Sequence, residues 1–466
     1  MTLTKVSYSM IDGAPISVLD FGAVGNGAAD DTLALTAAIN YWKSKGGALY
    51  IPAGRYRYTS LPKMLVNGGV VYGDGAQTQL MHIGAGVAID LQAASNTWNM
   101  EFRDFMVVGN PNGATTYGVN QDKLHHSLFR NIEVRDVSTV GWGISFAVMC
   151  RYETVCPHSS NRYTPIVTPT HGFGVGVGTA SSTAATDCTF VDCIVEGTTG
   201  NGVEATNMQA CTWIGGTSEG NTGGGFSLPA VSGRNTFINV FCEYNGGLDW
   251  DLNGCADTTF INVTGSSPAQ GLRVRSGTDG TRLIGGAWRK VQIDSGATNT
   301  SGETWALDTY TNSGTNTVLR VRRGNSAPYT YVGQGQEESF SPTFSGTTTA
   351  GSITLDVQNA RYLVNENICY FQIDIRVSSI SSAPTGDLVV GPLPFVSSAS
   401  WPAVSVAIGN ASNLDVDAAA VQLMANISAG SNVINLFQMR DAASVIALPA
   451  SALAASRITL SGSYKI

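Results

Sequence analysis

"TWIGGTSEGN" (residues 212–221) opens on an apolar Thr-Trp-Ile run and closes on a lone glutamate, Glu219, among small polar residues. It is one copy of a repeat. "TFVDCIVEG" begins at Thr189, "TFINVFCEY" at Thr236, "TFINVTGSS" at Thr259 and a degenerate "RLIGGAWRK" at Arg282, so with Thr212 the starts recur at a nearly constant interval. A second series interleaves with the first: "GNGVEATN" at Gly200, "GGFSLPAV" at Gly224, "GLDWDLNG" at Gly247 and "GLRVRSGT" at Gly271. A fixed period in the low twenties, with two short strand-like runs per period and Gly/Asn turns between them, indicates a β-solenoid. The leucine and asparagine pattern of a leucine-rich repeat is absent. One coil cannot bury a core alone, so like positions must stack about 4.8 Å apart in parallel sheets. Two columns meet that demand, Phe190/Trp213/Phe237/Phe260/Leu283 and Val191/Ile214/Ile238/Ile261/Ile284.

The pattern continues upstream in "MEFRDFMVVG" at Met100 and "SLFRNIEVRD" at Ser127. The chain from Phe129 to Phe190 is longer than two coils of this period require. The excess is about 15 residues, enough for an insertion. The segment "CRYETVCPHSSNRYTPIVTPTHG" (150–172), rich in Arg, Tyr, His and Pro, is the expected insertion and should project as a loop from one face.

Glu219 lies seven residues after its anchor threonine, as do Glu196 after Thr189 and Glu243 after Thr236. The same position in the next coils is Ser266 and then Arg289. Alternation of Val191, Cys193 and Val195, and of Ile238, Val240 and Cys242, assigns those residues to the interior. Period two then places Asp192, Asn239 and the three glutamates outside. Carboxylates about 5 Å apart repel by roughly 1 kcal/mol in water and about 3 kcal/mol at an effective dielectric of 20. A purely structural ladder would use Asn, Ser or Thr, which bond up the stack. Such repulsion favours one acid staying protonated, as a general acid near neutral pH requires. Neighbouring rungs give a carboxyl separation of about 5 Å, in the retaining range for glycosidases. Two rungs give about 9.6 Å, at the upper limit of the inverting range.

Glu196, Glu219 and Glu243 are therefore the candidate catalytic residues, with Glu219, flanked on both sides, as the general acid and Glu196 or Glu243 as nucleophile or base. The competing reading is that each glutamate splays into water beside its own cation. Asp192, Trp213, Tyr244 and Trp250 are candidates to contact sugar rings, Trp213 having packing in its own column as the alternative. Asp249 and Asp251 read as solvated. Arg151, Tyr152, His158, Arg162, Tyr163 and His171, in or beside the insertion, are candidates to bind an acidic sugar.

The whole chain limits the choices. Its 466 residues fit two or three domains. Lys and Arg total 26 against 34 Asp and Glu, a net charge of -8, which excludes a nucleic-acid partner because phosphate neutralisation needs a basic surface. Charged residues make up only 13% while glycine contributes 54, as expected of an all-β protein with many turns. No apolar run approaches the roughly 20 residues of a membrane helix. "MTLTKVSYSMIDGAPIS" lacks the apolar core of a secretory signal, so synthesis in a cytoplasm is expected. The eight cysteines read as reduced interior thiols, with a Cys150–Cys156 pair as the alternative. No spacing matches a zinc site, and no cofactor or metal is called for.

"DDTLALTAAINYWKSKGG" (30–47) reads as a helix, capped by Asp30 or Asp31 and stopped by Gly46-Gly47. Laid across the solenoid's end, it would cover an edge prone to aggregation. The wider stretch "ISVLDFGAVGNGAADDTLALTAAINYWKSKGGALYIPAGRYRYTS" (16–60) resembles the N-terminal signature of the pectate-lyase-like right-handed parallel β-helix superfamily, and "VVYGDGAQTQL" (70–80) resembles that superfamily's first coil. "KVSYSMIDGAPIS" is similar to the lead-in of bacteriophage tailspikes. The resemblance covers roughly 5–310 and is specific for fold rather than reaction.

From Phe340 the chain changes to "SITLDVQNARYLVNENICYFQIDIRVSSI", "PTGDLVVGPLPFV", "PAVSVAIG", "VINLFQM" and "RITLSGSYKI", short strands between turn residues that indicate an antiparallel β-sandwich. It resembles the C-terminal domains of phage tail fibres and tailspikes, which implies trimerisation or glycan contact. The expected organisation is a lead-in (1–15), a helix-capped right-handed parallel β-helix (16–310), a linker (311–338) and a C-terminal β-sandwich (339–466).

The resemblance implies a homotrimer on a virion tail, attached to a tail or baseplate protein and acting on a bacterial surface polysaccharide, capsule or O-antigen. No separate head-binding domain precedes the solenoid, which leaves the attachment unexplained. Three functions follow: a depolymerase hydrolysing glycosidic bonds with paired carboxylates, a polysaccharide lyase using the Arg/Tyr/His-rich insertion, or a receptor-binding fibre that does not cut. A deacetylase ranks last, since no SGNH-type nucleophile motif is present.

Overall fold

The computed structural model describes residues 11, 13–159, 165–176, 183–229, 231–267, 271–315, 317–323, 330–333, 338–365, 368–440 and 445–466. The chain divides into two units, Met1–Tyr331 and Val332–Ile466.

The first unit is the right-handed parallel β-helix. Its anchor column is in register from coil to coil: Thr189, Thr212, Thr236, Thr259 and Arg282 pair in succession, as do Phe190, Trp213, Phe237, Phe260 and Leu283. The aromatic members are buried. They continue downward through Tyr152, Phe129 and Phe102, with ring centroids 4.1 Å apart at Phe190–Trp213, 4.6 Å at Tyr152–Phe190 and 5.1 Å at Phe129–Tyr152. Such stacks add about 0.5–1.5 kcal/mol per pair beyond area burial. A second interior column runs through Val203, Phe226, Trp250 and Leu272 on another face of the coil, and its rings meet the first edge-on, Trp213 and Phe226 at 5.1 Å.

The Val191 column takes the opposite side. Val191, Ile238 and Ile261 are half-buried, and Ile214 and Ile284 are exposed. The alternation from Val191 to Cys193 does not hold, because a corner intervenes. Asp192, Gly215, Asn239, Asn262 and Gly285 all have positive φ, from 49° to 66°. One left-handed residue resets the phase, so Val191 points out while Cys193 and Val195 point in. Asn262 Nδ2 donates to Asn239 Oδ1 at 2.8 Å along this corner.

The expected insertion is shorter than its composition indicated. Arg151–Cys156 pairs with Leu128–Arg135 below and Thr189–Val191 above, and His158–Ser159 pairs with Ile194–Glu196. Residues 151–159 are thus regular rungs, and Phe129 pairs with Tyr152 one ordinary period further on. The extra length lies wholly between Tyr152 and its partner Phe190 in the next rung. The expected linker at 311–338 is also corrected in part. Ser301–Asn312 and Val318–Arg323 pair in parallel and continue the solenoid.

The helix spans Thr32–Lys45 and buries Leu35, Ala38, Ile39 and Trp42. Asp30 accepts from the Thr32 N–H at 2.9 Å at its start. Asp31 turns inward instead and holds the Val24 and Gly25 amides at 2.6 and 3.1 Å. No helix is long and apolar enough to cross a membrane among the described residues. All eight cysteines are buried free thiols, so Cys150 and Cys156 form no disulfide. Burial pushes Cys193 up to about 12 and Cys255 to about 11.

The second unit is antiparallel. Ser352–Asn365, Ile368–Ser382, Arg457–Lys465 and Val404–Ser412 pair in that order, and Val404–Ser412 continues into Ala420–Ile427, Ile434–Arg440, Leu388–Gly391 and Thr343–Gly346. The two halves enclose one core, with Phe371, Ile375, Ile458 and Leu460 facing Ile434 and Leu436.

Candidate active site

Three strands position the glutamates: Ile194–Glu196, Thr217–Glu219 and Phe241–Glu243. Glu196 pairs with Glu219, and Glu219 with Glu243. Their neighbours Val195, Ser218 and Cys242 are buried, which directs the glutamates outward. The column is not uniformly exposed. Glu219 and Glu243 are half-buried, whereas Glu196 is only 8% exposed, and its Oε2 accepts a hydrogen bond from Ser159 Oγ. At the other end Ser266 Oγ lies 3.4 Å from Glu243 Oε2.

Each glutamate precedes a left-handed residue, Gly197, Gly220 and Tyr244, with φ of 76°, 61° and 52°. The chain then turns inward, and Thr198, Asn221 and Asn245 stack beneath the column as a buried polar ladder. Thr198 N and Oγ1 donate to Asn221 Oδ1 at 3.0 and 2.8 Å, and Asn221 N and Nδ2 donate to Asn245 Oδ1 at 3.1 and 2.9 Å.

Asp249 completes the ladder. It is fully buried, which corrects its reading as a solvated acid. It accepts from Asn245 Nδ2 at 2.8 Å, from Ser267 N at 2.9 Å and from Ser267 Oγ. Gly265 leaves the room, since a Cβ there would sit 3.3 Å from Asp249 Oδ2. Burial raises the Asp249 carboxyl above its ordinary range against the pull of these donors, and the Glu243 charge adds to the rise. Asp251 does point outward and is paired by Arg275.

The remaining candidates separate. Trp213 and Trp250 are interior stacking residues with no face for a sugar. Tyr152 is buried in the anchor column and accepts from Gln121 Nε2 at 2.7 Å through its hydroxyl. His158 is buried in the inward column beside Val195, and desolvation pushes its pKa down to about 4. These four are corrected from substrate contacts to core. Arg151 does face outward but is ion-paired with Glu153. Asp192 is a corner residue whose carboxylate lies over Gly215. His171 is held by the Asn201 carbonyl at 2.9 Å. Arg162 and Tyr163 lie outside the described residues. Tyr244 is 71% exposed next to Glu243.

Sequence reasoning passed over Phe241 and Ser159 and misread Asp249. Phe241, 37% exposed, lies two residues before Glu243 and so on its side of the strand, a position that period two alone gives. Ser159 required knowing that its segment is a rung rather than a loop. Asp249 carried no signal of burial, because the glycine that accommodates it is in the next coil.

Comparison with known proteins agrees with this architecture. Residues 15–226 match the family model described as "Rhamnogalacturonase A/epimerase, pectate lyase-like". Two curated proteins of Azotobacter vinelandii are similar over short stretches. Mannuronan C5-epimerase AlgE3 is 44% identical over 75 residues, 15% of this chain and 4% of its own length. Alginate lyase 7 is 32% identical over 108 residues, 22% of this chain and 12% of its own. The chain therefore spans a small part of these relatives. Among solved structures the Dettilon tailspike protein has the same fold, with a TM-score of 0.52 at 15% identity over 97% of this chain and 94% of that one.

Proposed function

Because the solenoid belongs to the pectate-lyase-like parallel β-helix superfamily, we propose that this protein is a tailspike-type depolymerase that hydrolyses a bacterial surface polysaccharide, capsule or O-antigen, with Glu219 and Glu243. The observation that carries the reading is the in-register pairing of two half-exposed glutamates on one outer face. Adjacent rungs put their backbones about 4.8 Å apart, which matches the roughly 5–5.5 Å carboxyl separation of retaining glycosidases. Glu219, with an acid above and below, is the general acid, and Glu243 is the nucleophile that forms the glycosyl-enzyme. Glu219 then activates the water that releases it. Glu196, buried and bonded to Ser159, supplies charge beneath Glu219 without touching sugar. A homotrimer carried on a virion tail through a tail or baseplate protein is the assembly proposed with this activity.

Elimination is the second reading, favoured by the short similarity to an alginate lyase. It needs a cation and a base beside a uronic acid, and two of the six residues expected to serve it, Tyr152 and His158, are buried in the core.

The test is Glu219→Gln, which keeps shape but transfers no proton. Cleavage of the cognate polymer should fall at least 100-fold, with unchanged folding and retained glycan binding. Products should carry a reducing end of retained anomeric configuration. An unsaturated uronate end would establish elimination, and binding with no loss of polymer size by the wild type would establish a non-catalytic fibre.

A further inference from the structure

Tyr244 combines two features that are hard to explain structurally. At a φ of 52° it is the only Phe, Tyr or Trp with positive φ among the described residues, at a position where the two coils below use Gly197 and Gly220. A bulky L-residue in the left-handed region is an outlier that persists only where the surroundings impose it. It is also the most exposed aromatic of the described residues, and its side chain makes no hydrogen bond or ring contact with any of them. The fold bears the conformation and leaves most of the ring in solvent.

The surroundings do impose it. On one side Glu243 is fixed in the ladder opposite Glu219. On the other, Asn245 is buried, donates to Ser218 O at 3.0 Å and to Asp249 at 2.8 Å, and its backbone N–H donates to Ser267 Oγ at 2.9 Å. Gly246 passes so close to the coil below that a Cβ would meet Thr222 O at 2.3 Å. With both neighbours pinned, Tyr244 has to turn outward. In its outward column Phe241 is the one aromatic on the rungs of the three glutamates, with Ile194 and Thr217 on the other two, and the column continues as Thr264, Ala287 and Trp305. Two aromatic rings thus bracket Glu243 and no other member of the carboxylate column.

We propose that Tyr244 and Phe241 form the aromatic subsite that seats a pyranose ring beside Glu243, and that the buried Asn245–Asp249–Ser267 network exists to hold the strained backbone presenting Tyr244. The inference rests on the carboxylate column being the site of cleavage. The apolar C–H face of a pyranose fits flat on an aromatic ring while its hydroxyls reach outward, and a ring seated there presents its anomeric carbon to Glu243. The ligand class is a polysaccharide whose repeat contains a pyranose with one face free of axial hydroxyls.

The experiment compares Tyr244→Gly, Tyr244→Phe and Asp251→Asn, the last as an outward control. Each is measured for thermal unfolding and for binding, in the Glu219→Gln background, to polymannuronate, polyguluronate and purified capsular and O-antigen polysaccharides. Tyr244→Gly should unfold at an equal or higher temperature than its parent, because glycine relieves the left-handed strain. The same variant should bind the cognate polymer about tenfold more weakly, and with an active Glu219 its KM should rise more than its kcat falls. Tyr244→Phe should restore binding, and Asp251→Asn should change neither.

A lower unfolding temperature with unchanged binding would make Tyr244 a structural residue and overturn the proposal. Unchanged binding in Tyr244→Gly alongside an inactive Glu219→Gln would overturn it and leave the depolymerase reading standing. Full cleavage by Glu219→Gln would remove the carboxylate column as the site of cleavage and the subsite proposal with it, and absence of binding to every polymer by the wild type would remove both the proposal and the depolymerase reading.

Discussion

Ser159 donates to Oε2 of Glu196 from the rung directly below, and the contact closes the lower end of the carboxylate column. A buried acid whose oxygen is occupied by a neighbouring hydroxyl is poorly placed to reach a sugar, which separates Glu196 from Glu219 and Glu243 despite their shared register.

The first prediction follows from that separation. Glu196→Gln keeps an oxygen for Ser159 and should lower kcat less than tenfold. Glu219→Gln and Glu243→Gln should each lose at least 100-fold. Single-turnover cleavage of the cognate polymer ranks the three, and equal loss in all would return Glu196 to the reacting set.

Trp213 gives the second. It lies 4.1 Å from Phe190 and meets Phe226 and Phe173 edge-on. Trp213→Ala should cost about 3–5 kcal/mol of stability, as large-to-small changes in a packed core do. Trp213→Phe, matching the rungs on either side, should leave glycan affinity at the wild-type value. A binding defect in a well-folded Trp213→Phe protein would show that the indole reaches the ligand after all.

The column of glutamates was legible because a repeat read modulo its period aligns like positions without any knowledge of the coil's shape. Direction was legible only within a strand. Period two placed Val195 inside and Glu196 outside, but it failed from Val191 to Cys193, where Asp192 adopts positive φ and resets the alternation. Composition misled at Tyr152 and His158. Polar and aromatic residues next to prolines look like a loop, yet Tyr152 stands one full period after Phe129 and continues its stack. Asp249 was illegible for a different reason. Its burial depends on the missing side chain of Gly265, a contact between coils that no single stretch displays.

The third prediction concerns assembly. Val191, Ile214, Ile238, Ile261 and Ile284 form an outward aliphatic stripe, with Ile214 38% and Ile284 40% exposed. A stripe of β-branched side chains over five rungs is unusual on a surface that meets only water. Three copies around a closed axis would cover it. Ile238→Asp, at its centre, should shift the protein from trimer to monomer in light scattering at micromolar concentration, with the solenoid's circular dichroism unchanged. A trimer that survives the substitution would move the interface elsewhere.

The fourth prediction is an acid limit set by His158. Its ring is buried, and desolvation holds its pKa near 4 against about 6.5 in an unfolded chain, with the Asp136 charge opposing the shift only in part. Between those values the unfolded chain carries the proton and the folded chain does not. Stability is therefore full above about pH 6.5 and falls as pH drops toward 4, by about 3 kcal/mol from this residue alone. His82, also lowered by burial, acts in the same direction. Asp249 acts in the opposite one: its raised carboxyl contributes stability below the unfolded value of about 3.9 that is lost as pH rises through the folded pKa. His158→Gln removes the main acid-side titration, so its denaturation curves at pH 7 and pH 4.5 should lie closer together than those of the wild type. Parallel loss in both proteins would mean that His158 is protonated in the folded state, and the acid limit would then belong to another group.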